Sequence, residues 1–413
     1  PSRSDGARRQ QAVNHVTDLP QLDALDASGT RVLVRSDLNV PLRDGAISDD
    51  LRIRAAVPTI ERLLSAGARV AVGSHLGRPK GKWVEGLSLA PVRARLEELL
   101  DRPVTLAPDV AGDGARDACA SDESVVLLEN LRFEAGEESN DPEFAAALSD
   151  LADRYVDDAF GAAHRAHASI VGPPQHLPSA AGLLLEDEVE KLSKLLHGAE
   201  HPYVGILGGA KVSDKLAVIG NLLERVDALC IGGAMAFTLL AAQGKPVGRS
   251  LVERDRLDEV SEVLERANAR EVAIHLPTDV MAADSPDQDA AHSTASLDDI
   301  GDRMGVDIGP DSARDFAAAI EGARTVLWNG PMGIFEIDDY AHGTIVVAEA
   351  VAKATKNGAY TVVGGGDSAA ALRTLGMDGD VSHLSTGGGA SLEFLEGKEL
   401  PGVAALRRAK NAT

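Results

Sequence analysis

The segment LLEDEVEKLSKLLH, residues 184–197, divides this 413-residue sequence into two halves. Four apolar residues recur on one face at helical spacing: Leu185, Val189, Leu192 and Leu196. Acidic residues fill its first turns, basic residues its last, and Gly198 follows, so the segment predicts an amphipathic helix. The breaker cluster at residues 172–174 lies ahead of it. We therefore predict a domain boundary here, with residues 183–198 as an interdomain hinge helix.

Short apolar runs alternate with helical patterns on both sides of this helix. In the first half the runs cover residues 31–35, 68–72, 124–128 and 155–156. In the second half they cover residues 203–207, 228–231, 271–276, 325–328, 360–363 and 381–384. The helical patterns cover residues 54–66, 142–152, 214–226 and 257–267.

Strands that alternate with helices predict parallel sheets, and burial on both faces explains why these runs are apolar throughout. The predicted fold class is α/β, with two doubly wound parallel-sheet domains of similar size joined by the long hinge helix. The domains cover residues 1–182 and 199–395, and a last segment covers residues 396–413.

The composition is that of a soluble globular protein, with 44% hydrophobic and 25% charged residues, and it excludes disordered and fibrous classes. No run approaches the roughly 18 apolar residues of a membrane helix, and residues 1–10 lack the hydrophobic region of a signal peptide. We expect a cytoplasmic protein that does not act on membranes. Cys119 and Cys230 are isolated, which predicts buried thiols in a reducing compartment.

The net charge of −23 argues against a general nucleic-acid binder, which needs a broadly basic face. Only 11 of the 41 basic residues are lysines. An acidic, lysine-poor surface suits a salt-rich cytoplasm, because a Debye length of about 3 Å at molar salt mutes self-repulsion. We interpret this as a halophilic acidic surface.

Cationic side chains collect in the loops of the first half, against the sign of the whole chain. They are Arg52, His75, Arg78, Arg132, His164, Arg165 and His167. Loops after parallel strands meet at one edge of a sheet, and the planar guanidinium pairs two oxygens of a phosphate or carboxylate. The loops therefore predict a site for a small anion; the alternative is that each arginine pairs with a neighbouring acid. The two histidines of residues 164–167 have no third ligand and do not predict a metal site.

Glycine-rich loops follow the apolar runs of the second half. They cover residues 208–215, 232–235, 329–333, 364–368 and 386–391. Such turns let backbone N–H groups approach phosphate oxygens, which predicts a nucleotide-phosphate site; the alternative is tight packing alone. The P-loop pattern is absent. Residues 364–369 partly fit a dinucleotide fingerprint, which leaves a nicotinamide-dependent dehydrogenase as an alternative.

Eight motifs, in this order, resemble those of phosphoglycerate kinase. They are VRSDLNVP (34–41), SHLGRP (74–79), DAFG (158–161), HRAH (164–167), LGGAKVSDK (207–215), WNGPMGIFE (328–336), GGGD (364–367) and STGGGAS (385–391). The resemblance runs over nearly the whole chain, from Arg31 to Gly402. It implies reversible phosphoryl transfer between 1,3-bisphosphoglycerate and MgADP, giving 3-phosphoglycerate and MgATP in glycolysis.

The resemblance also implies roles for individual residues. The triose is expected at Asp37, Leu38, Asn39, Arg52, His75, Leu76, Gly77, Arg78, Arg132 and Arg165. ATP or ADP is expected at Lys215, Glu336, Gly365, Gly366, Asp367 and Ser368, with Asp367 toward Mg²⁺. The expected catalytic set is Arg52, Lys211, Gly365 and Gly388. The charges of Arg52 and Lys211 and the main-chain amides of Gly365 and Gly388 would face the phosphoryl group during transfer.

Phosphoryl transfer asks the protein mainly to position and stabilise charge. The attacking oxygen carries no proton, so we expect no general base. The resemblance further implies substrate-induced closure of the two domains, a monomer, and a C-terminal segment that returns to the N-terminal domain.

Three positions depart from the family pattern: Asp157 for Asn, Leu38 for Phe and Ser368 for Thr. Residues 1–21 are expected to form an additional polar arm. A nucleotide-binding module without catalysis is a second alternative, but a mere binder needs no cation on both sides of the reacting group.

Overall fold

The computed structural model describes residues 18–412, so residues 1–17 of the polar arm lie outside the described residues. The chain forms two compact units. One holds the chain up to Glu190 together with the segment from Glu399 onward, and the other runs from Lys191 to Lys398. Within residues 18–412, none of the helices has the length and hydropathy that crossing a membrane requires. Cys119 and Cys230 are free and buried.

The first unit is built on a six-stranded parallel sheet with the order β5-β6-β4-β1-β7-β8. The strands of this unit are β1 (Arg31–Ser36), β2 (Leu42–Arg43), β3 (Ala46–Ile47), β4 (Arg69–Gly73), β5 (Thr105–Leu106), β6 (Val125–Leu127), β7 (Arg154–Asp158) and β8 (Ser179–Ala181). Strands β2 and β3 pair separately as a short antiparallel hairpin. Val34 of the central strand β1 pairs with Val72 and Val156 on its two neighbours. All six residues of β1 are buried.

Helices cover this sheet and complete its core. They are Leu51–Ser65, Ala90–Leu100, Asp113–Ala120, Ala135–Ser139, Pro142–Ser149, Ala168–Val171 and Pro401–Ala412. Helix Leu51–Ser65 places Ile53, Ile60 and Leu63 in the same cluster as Val34. Each such side chain contributes about 1.5–3 kcal/mol by leaving water.

The second unit repeats the architecture with the sheet order β11-β10-β9-β15-β16-β17. Its strands are β9 (Tyr203–Leu207), β10 (Ala228–Ile231), β11 (Ala273–His275), β12 (Asp279–Ala283), β13 (His292–Ser296), β14 (Met304–Ile308), β15 (Thr325–Asn329), β16 (Tyr360–Gly364) and β17 (His383–Leu384). Its helices are Leu216–Leu222, Met235–Ala242, Leu257–Ala269, Pro310–Glu321, His342–Lys356, Gly366–Thr374 and Gly389–Leu395. Strands β13, β12 and β14 form a separate antiparallel sheet.

The predicted fold class is confirmed: each unit carries a six-stranded parallel sheet. All ten predicted strands form, with ends displaced by two residues at most. Strands β5 and β8, the hairpin and the antiparallel sheet were not predicted. The edge strands β5 and β8 have only two and three residues, which is too short for a recognisable apolar run. Strand β13 is exposed at four of its five positions and has no apolar run.

Helix Leu183–His197 begins in the first unit and ends in the second. Leu185, Val189 and Leu192 are buried as the spacing predicts. The fourth buried position is Leu195 rather than Leu196, which is half-buried, so that element of the periodicity was wrong by one residue.

The first turn of this helix is anchored to β7. The Asp158 carboxylate accepts a hydrogen bond from Leu184 N at 2.9 Å, and Thr59 Oγ1 accepts one from Leu183 N at 3.0 Å. Burial raises the pKa of Asp158 to about 8, although these amides and Thr59 act in the opposite direction. Gly182 permits this approach, because a Cβ atom there would lie 2.1 Å from Asp158 Oδ1.

We predict that Gly182→Ala destabilises the protein, since the added methyl group would force Asp158 away from the helix amides. The expected loss is about 1–3 kcal/mol of unfolding free energy. Chemical denaturation measures it. Gly86→Ala is the matched control, because a Cβ at Gly86 meets no atom within 4 Å. Equal stability of the two variants would contradict the prediction.

Candidate active site

The cationic site of the first unit starts at the carboxyl ends of β1 and β4. Asp37 directly follows β1 and is buried, and its carboxylate forms an ion pair with Arg52 of helix Leu51–Ser65. Burial raises the pKa of Asp37, but the positive charges of Arg52 and of nearby Arg35 outweigh it and hold that pKa below its ordinary value. Asp37 is therefore ionised at neutral pH and orients the guanidinium of Arg52.

A buried hydrogen-bond chain lies behind this pair. Arg35, on β1, donates from Nε to Ser169 Oγ at 2.9 Å, and its Nη2 contacts His75 Nδ1 at 3.2 Å. Ser169 in turn donates from Oγ and from its main-chain N to the two carboxylate oxygens of Glu137, at 2.6 and 2.9 Å. Arg35 is thus linked to Glu137 through the hydroxyl of Ser169. Site prediction from sequence missed Arg35, Ser169 and Glu137.

Both buried histidines of this site are neutral at pH 7. Burial lowers the pKa of His75 well below its ordinary value, with Asp37 opposing it and Arg35 adding to it. Burial lowers the pKa of His167 to about 4, and Arg132 adds to it. The positive charge of the site therefore comes from its arginines.

Two asparagines fix the loop that follows β4. Asn39 Oδ1 accepts a hydrogen bond from Gly77 N at 2.9 Å. Asn130 is fully buried; its Oδ1 accepts from Leu76 N and Arg132 N, both at 3.1 Å. Its Nδ2 donates to Leu76 O at 2.7 Å. Arg132 donates from Nη1 to Gly77 O at 2.7 Å, which joins the arginine to the same loop.

The structure brings together part of the predicted triose set and leaves the rest at its margin. Asp37 forms an ion pair with Arg52, and Asn39 and Arg132 both form hydrogen bonds with Gly77. Arg78 and Arg165 are exposed. The side chains of Leu38 and Leu76 belong to the hydrophobic core, so a ligand can meet only their main chains. Asp157 is buried, and burial raises its pKa to about 6. Its carboxylate lies against Gly402, where a Cβ would stand 2.9 Å from Oδ2.

The glycines of the second unit divide into two groups. Gly208, Gly233 and Gly330 allow loops to touch: a Cβ at Gly208 would lie 2.0 Å from Pro331 O. The other group has space for a ligand, because a Cβ at Gly366 or at Gly388 would meet no atom within 4 Å. The first group has the packing role that the sequence left as an alternative, and the second suits a phosphate.

Lys215 is buried where β9, β15 and β16 end. Its ammonium donates a hydrogen bond to Asn329 Oδ1 at the end of β15. Burial lowers the pKa of Lys215 to about 8, against the opposing charges of Asp214 and Asp367. Asn329 Nδ2 is buried without a hydrogen-bond partner in the structure. The sequence placed Asn329 in a glycine-rich loop, but it was not predicted as a site residue. The available signal was an amide side chain at the end of an apolar strand.

The other predicted nucleotide residues are less enclosed. Ser368 is the exception: it is fully buried, and its Oγ accepts a hydrogen bond from Gly330 N at 2.6 Å. Lys211, Glu336 and Asp367 are exposed. Gly365 has a φ of +93°, which favours glycine, and Gly366 begins helix Gly366–Thr374. Gly388, with a φ of +54°, precedes helix Gly389–Leu395.

The donor set suits a magnesium ion brought in with phosphates. Asp367 offers one exposed carboxylate beside these turns, and Mg²⁺ commonly takes one or two carboxylates together with phosphate oxygens and water. The described residues contain no group of three or more His, Cys, Asp or Glu placed to hold a metal ion.

Two solved structures of phosphoglycerate kinases have a similar fold. The enzyme from Coxiella burnetii matches with a TM-score of 0.84 and 40% identity, over 94% of this chain and 99% of that one. The enzyme from Pyrococcus horikoshii matches with a TM-score of 0.84 and 35% identity, over 96% and 100%. These matches define the class as a two-domain α/β phosphotransferase.

Sequence similarity identifies the family within this class of phosphotransferases. Phosphoglycerate kinases are 52% identical over 392 residues in Chloroherpeton thalassium and 55% identical over 402 residues in Salinispora arenicola. These matches cover 94% and 95% of this chain and 99% of each relative. The family profile described as phosphoglycerate kinase matches residues 22–398. The chain belongs to the phosphoglycerate kinase family, whose members are ATP-dependent phosphotransferases with a carboxyl group as acceptor.

Proposed function

We propose that this chain transfers a phosphoryl group reversibly between 1,3-bisphosphoglycerate and MgADP, giving 3-phosphoglycerate and MgATP in glycolysis. Family membership over residues 22–398 carries the proposal. The dehydrogenase alternative has no support from these matches. The other alternative, binding without catalysis, remains an outcome of the assay below.

Each unit has one substrate in this proposal. The triose binds the first unit at the loops after β1 and β4, where Arg52 and Arg132 face an anion while Asp37 and Asn39 hold the geometry. Its phosphate and carboxylate suit guanidinium forks, which bind two oxygens at once. The residues at the margin, Arg78 and Arg165, complete the expected set.

The nucleotide binds the second unit. Lys215, Gly365, Gly366 and Ser368 lie near the phosphates and Glu336 contacts the ribose. The lowered pKa of Lys215 supports the assignment, because an anionic oxygen would stabilise an ammonium that burial has desolvated. Asp367 would hold Mg²⁺, which supplies charge neutralisation between the phosphate oxygens when bound.

Arg52 and Lys211 stabilise the phosphoryl group in transfer, with donors from the amides of Gly365 and Gly388. The transferring group spreads negative charge over its equatorial oxygens, so fixed positive charge lowers the barrier. The attacking carboxylate or phosphate oxygen has no proton to lose. The reaction therefore uses no general base.

An acyl phosphate must be protected from water. Two substrates carried by separate units can be kept apart from water if the units close when both are bound. Helix Leu183–His197 is the proposed hinge, since it belongs to both units. We further propose that the enzyme acts as a cytoplasmic monomer.

The first prediction of the proposed function is enzymatic turnover. In a coupled assay with 3-phosphoglycerate and MgATP, at several KCl concentrations, we expect activity that depends on both substrates. Calorimetric binding of ADP without turnover at any salt concentration would favour a binding module. NADH serves as the control ligand, and its binding in place of ADP would support the dehydrogenase alternative.

The second prediction concerns the transition-state cations. Arg52→Ala and Lys211→Ala should each lower kcat roughly 10²–10³-fold, which is the usual loss for a removed charge-stabilising donor. Because Arg52→Ala leaves Asp37 buried without its partner, Arg52→Lys is the companion variant, which keeps the charge and loses the planar fork. Arg54→Ala and Lys245→Ala, both exposed, are the matched controls. Full activity of both active-site alanine variants would contradict the assignment.

The third prediction concerns the acidic surface. A chain with a net charge of −23 should unfold at a higher temperature in molar KCl than in dilute buffer, because salt screens self-repulsion. Thermal unfolding across KCl concentrations measures this. Sucrose is the control for uncharged solute exclusion. Full stability in dilute buffer would contradict the halophilic interpretation.

A further inference from the structure

One acidic residue holds the loop that carries Lys211. The loop covers residues 208–215 and connects β9 to helix Leu216–Leu222. Its first part is fixed by main-chain bonds, from Gly208 N to Asn329 O at 3.0 Å and from Met235 N to Gly209 O at 3.0 Å. Its last part turns through the bond from Lys215 N to Val212 O at 2.9 Å.

The middle of the loop is held from outside by Glu253. Its Oε1 accepts a hydrogen bond from Ser213 Oγ at 2.5 Å, and its Oε2 accepts one from Ser213 N at 3.0 Å. Glu253 is itself fixed, because its N donates to Thr238 Oγ1 at 3.1 Å. It stands before the turn Arg254–Arg256 that leads into helix Leu257–Ala269. One carboxylate therefore binds both donors of Ser213.

Nearby groups favour the ionised form of Glu253, which strengthens its clasp on Ser213, that is, the two hydrogen bonds it accepts from that residue. Burial tends to raise the pKa of Glu253, but the bonds from Ser213 and Val212 and the charge of Lys211 outweigh it and hold that pKa below its ordinary value. An ionised acceptor makes bonds roughly twice as strong as neutral ones. Lys211, two residues before Ser213, is exposed.

We propose that Glu253 is a positioning residue for phosphoryl transfer, which clasps Ser213 and thereby fixes the main chain from which Lys211 extends. The inference rests on the proposed function, in which Lys211 stabilises the transferring group. Transfer is sensitive to position, since a displacement of about 1 Å can cost 10²-fold in rate. If the loop becomes more mobile, Lys211 keeps its charge, but its main chain no longer holds the ammonium group in one position.

The experiment is a double-mutant cycle with Glu253→Gln, Ser213→Ala and the double variant, in the coupled assay. Glu253→Gln places an NH₂ group against the donors of Ser213. We expect kcat to fall about tenfold, or about 1.4 kcal/mol of barrier, with KM for 3-phosphoglycerate unchanged. The double variant should be no slower than the slower single variant, because both changes remove one clasp. Glu265→Gln, an exposed glutamate on helix Leu257–Ala269, is the matched control and should behave as wild type.

Two further measurements separate positioning from general damage. Hydrogen exchange of the peptide over residues 208–215 should be faster in Glu253→Gln than in Glu265→Gln, with the thermal midpoint close to wild type. Unchanged exchange, an unchanged kcat in an active enzyme, additive losses in the cycle, or a loss of kcat explained by unfolding would each overturn the inference. A wild type without turnover would overturn the proposed function, and the positioning role with it.

Discussion

Both parallel sheets are buried on their two faces, and this burial restricts where the protein can place charged and reactive side chains. A charged side chain inside such a strand must satisfy all of its donors within the protein. Arg31 does so by donating to the main-chain oxygens of Cys119, Ser121 and Glu123, each at 2.9 Å. Arg35 does so through Ser169 and neighbouring groups. In the candidate sites, Asp37 and Asn329 therefore stand where strands end, and in a parallel sheet the carboxyl ends lie at one edge.

The same constraint determines the electrostatics of the first unit. Burial is the main cause that holds the pKa of His75 well below its ordinary value, and the positive charges gathered in this poorly solvated place, such as Arg35, add to it. A carboxylate in that place is stabilised instead, as Asp37 is by Arg52. Glu137 is linked to Arg35 through Ser169 and not by direct contact. Such an arrangement leaves the guanidinium groups as the carriers of positive charge toward an anion.

Much of the fold followed from local pattern, and the exceptions have physical causes. Ten strands could be predicted because their sequences are apolar runs. Strand β13 is exposed at four of its five positions and has no apolar run. The hinge periodicity failed only between Leu195 and Leu196, because a three-residue and a four-residue step are equally helical. Most residues of the two candidate sites stood in recognisable motifs. Residues that hold those motifs in place, such as Asn130 and Glu253, are defined by distant partners and could not be read from spacing.

Not every glycine-rich loop of the second unit has space for a phosphate, because some of its glycines serve close packing. The burial of Lys215 indicates how the proposed nucleotide site would still favour an anionic ligand. Gly208 and Gly330 let the loops approach one another, and that contact encloses Lys215 with Asn329. Enclosure removes water from the ammonium and lowers its pKa to about 8. A neutral ligand could not restore the lost solvation, but an anionic oxygen could, since opposite charge favours the charged form. Tight packing of one set of glycines would therefore make the proposed nucleotide site selective for anions, while Gly366 and Gly388 leave open space beside it.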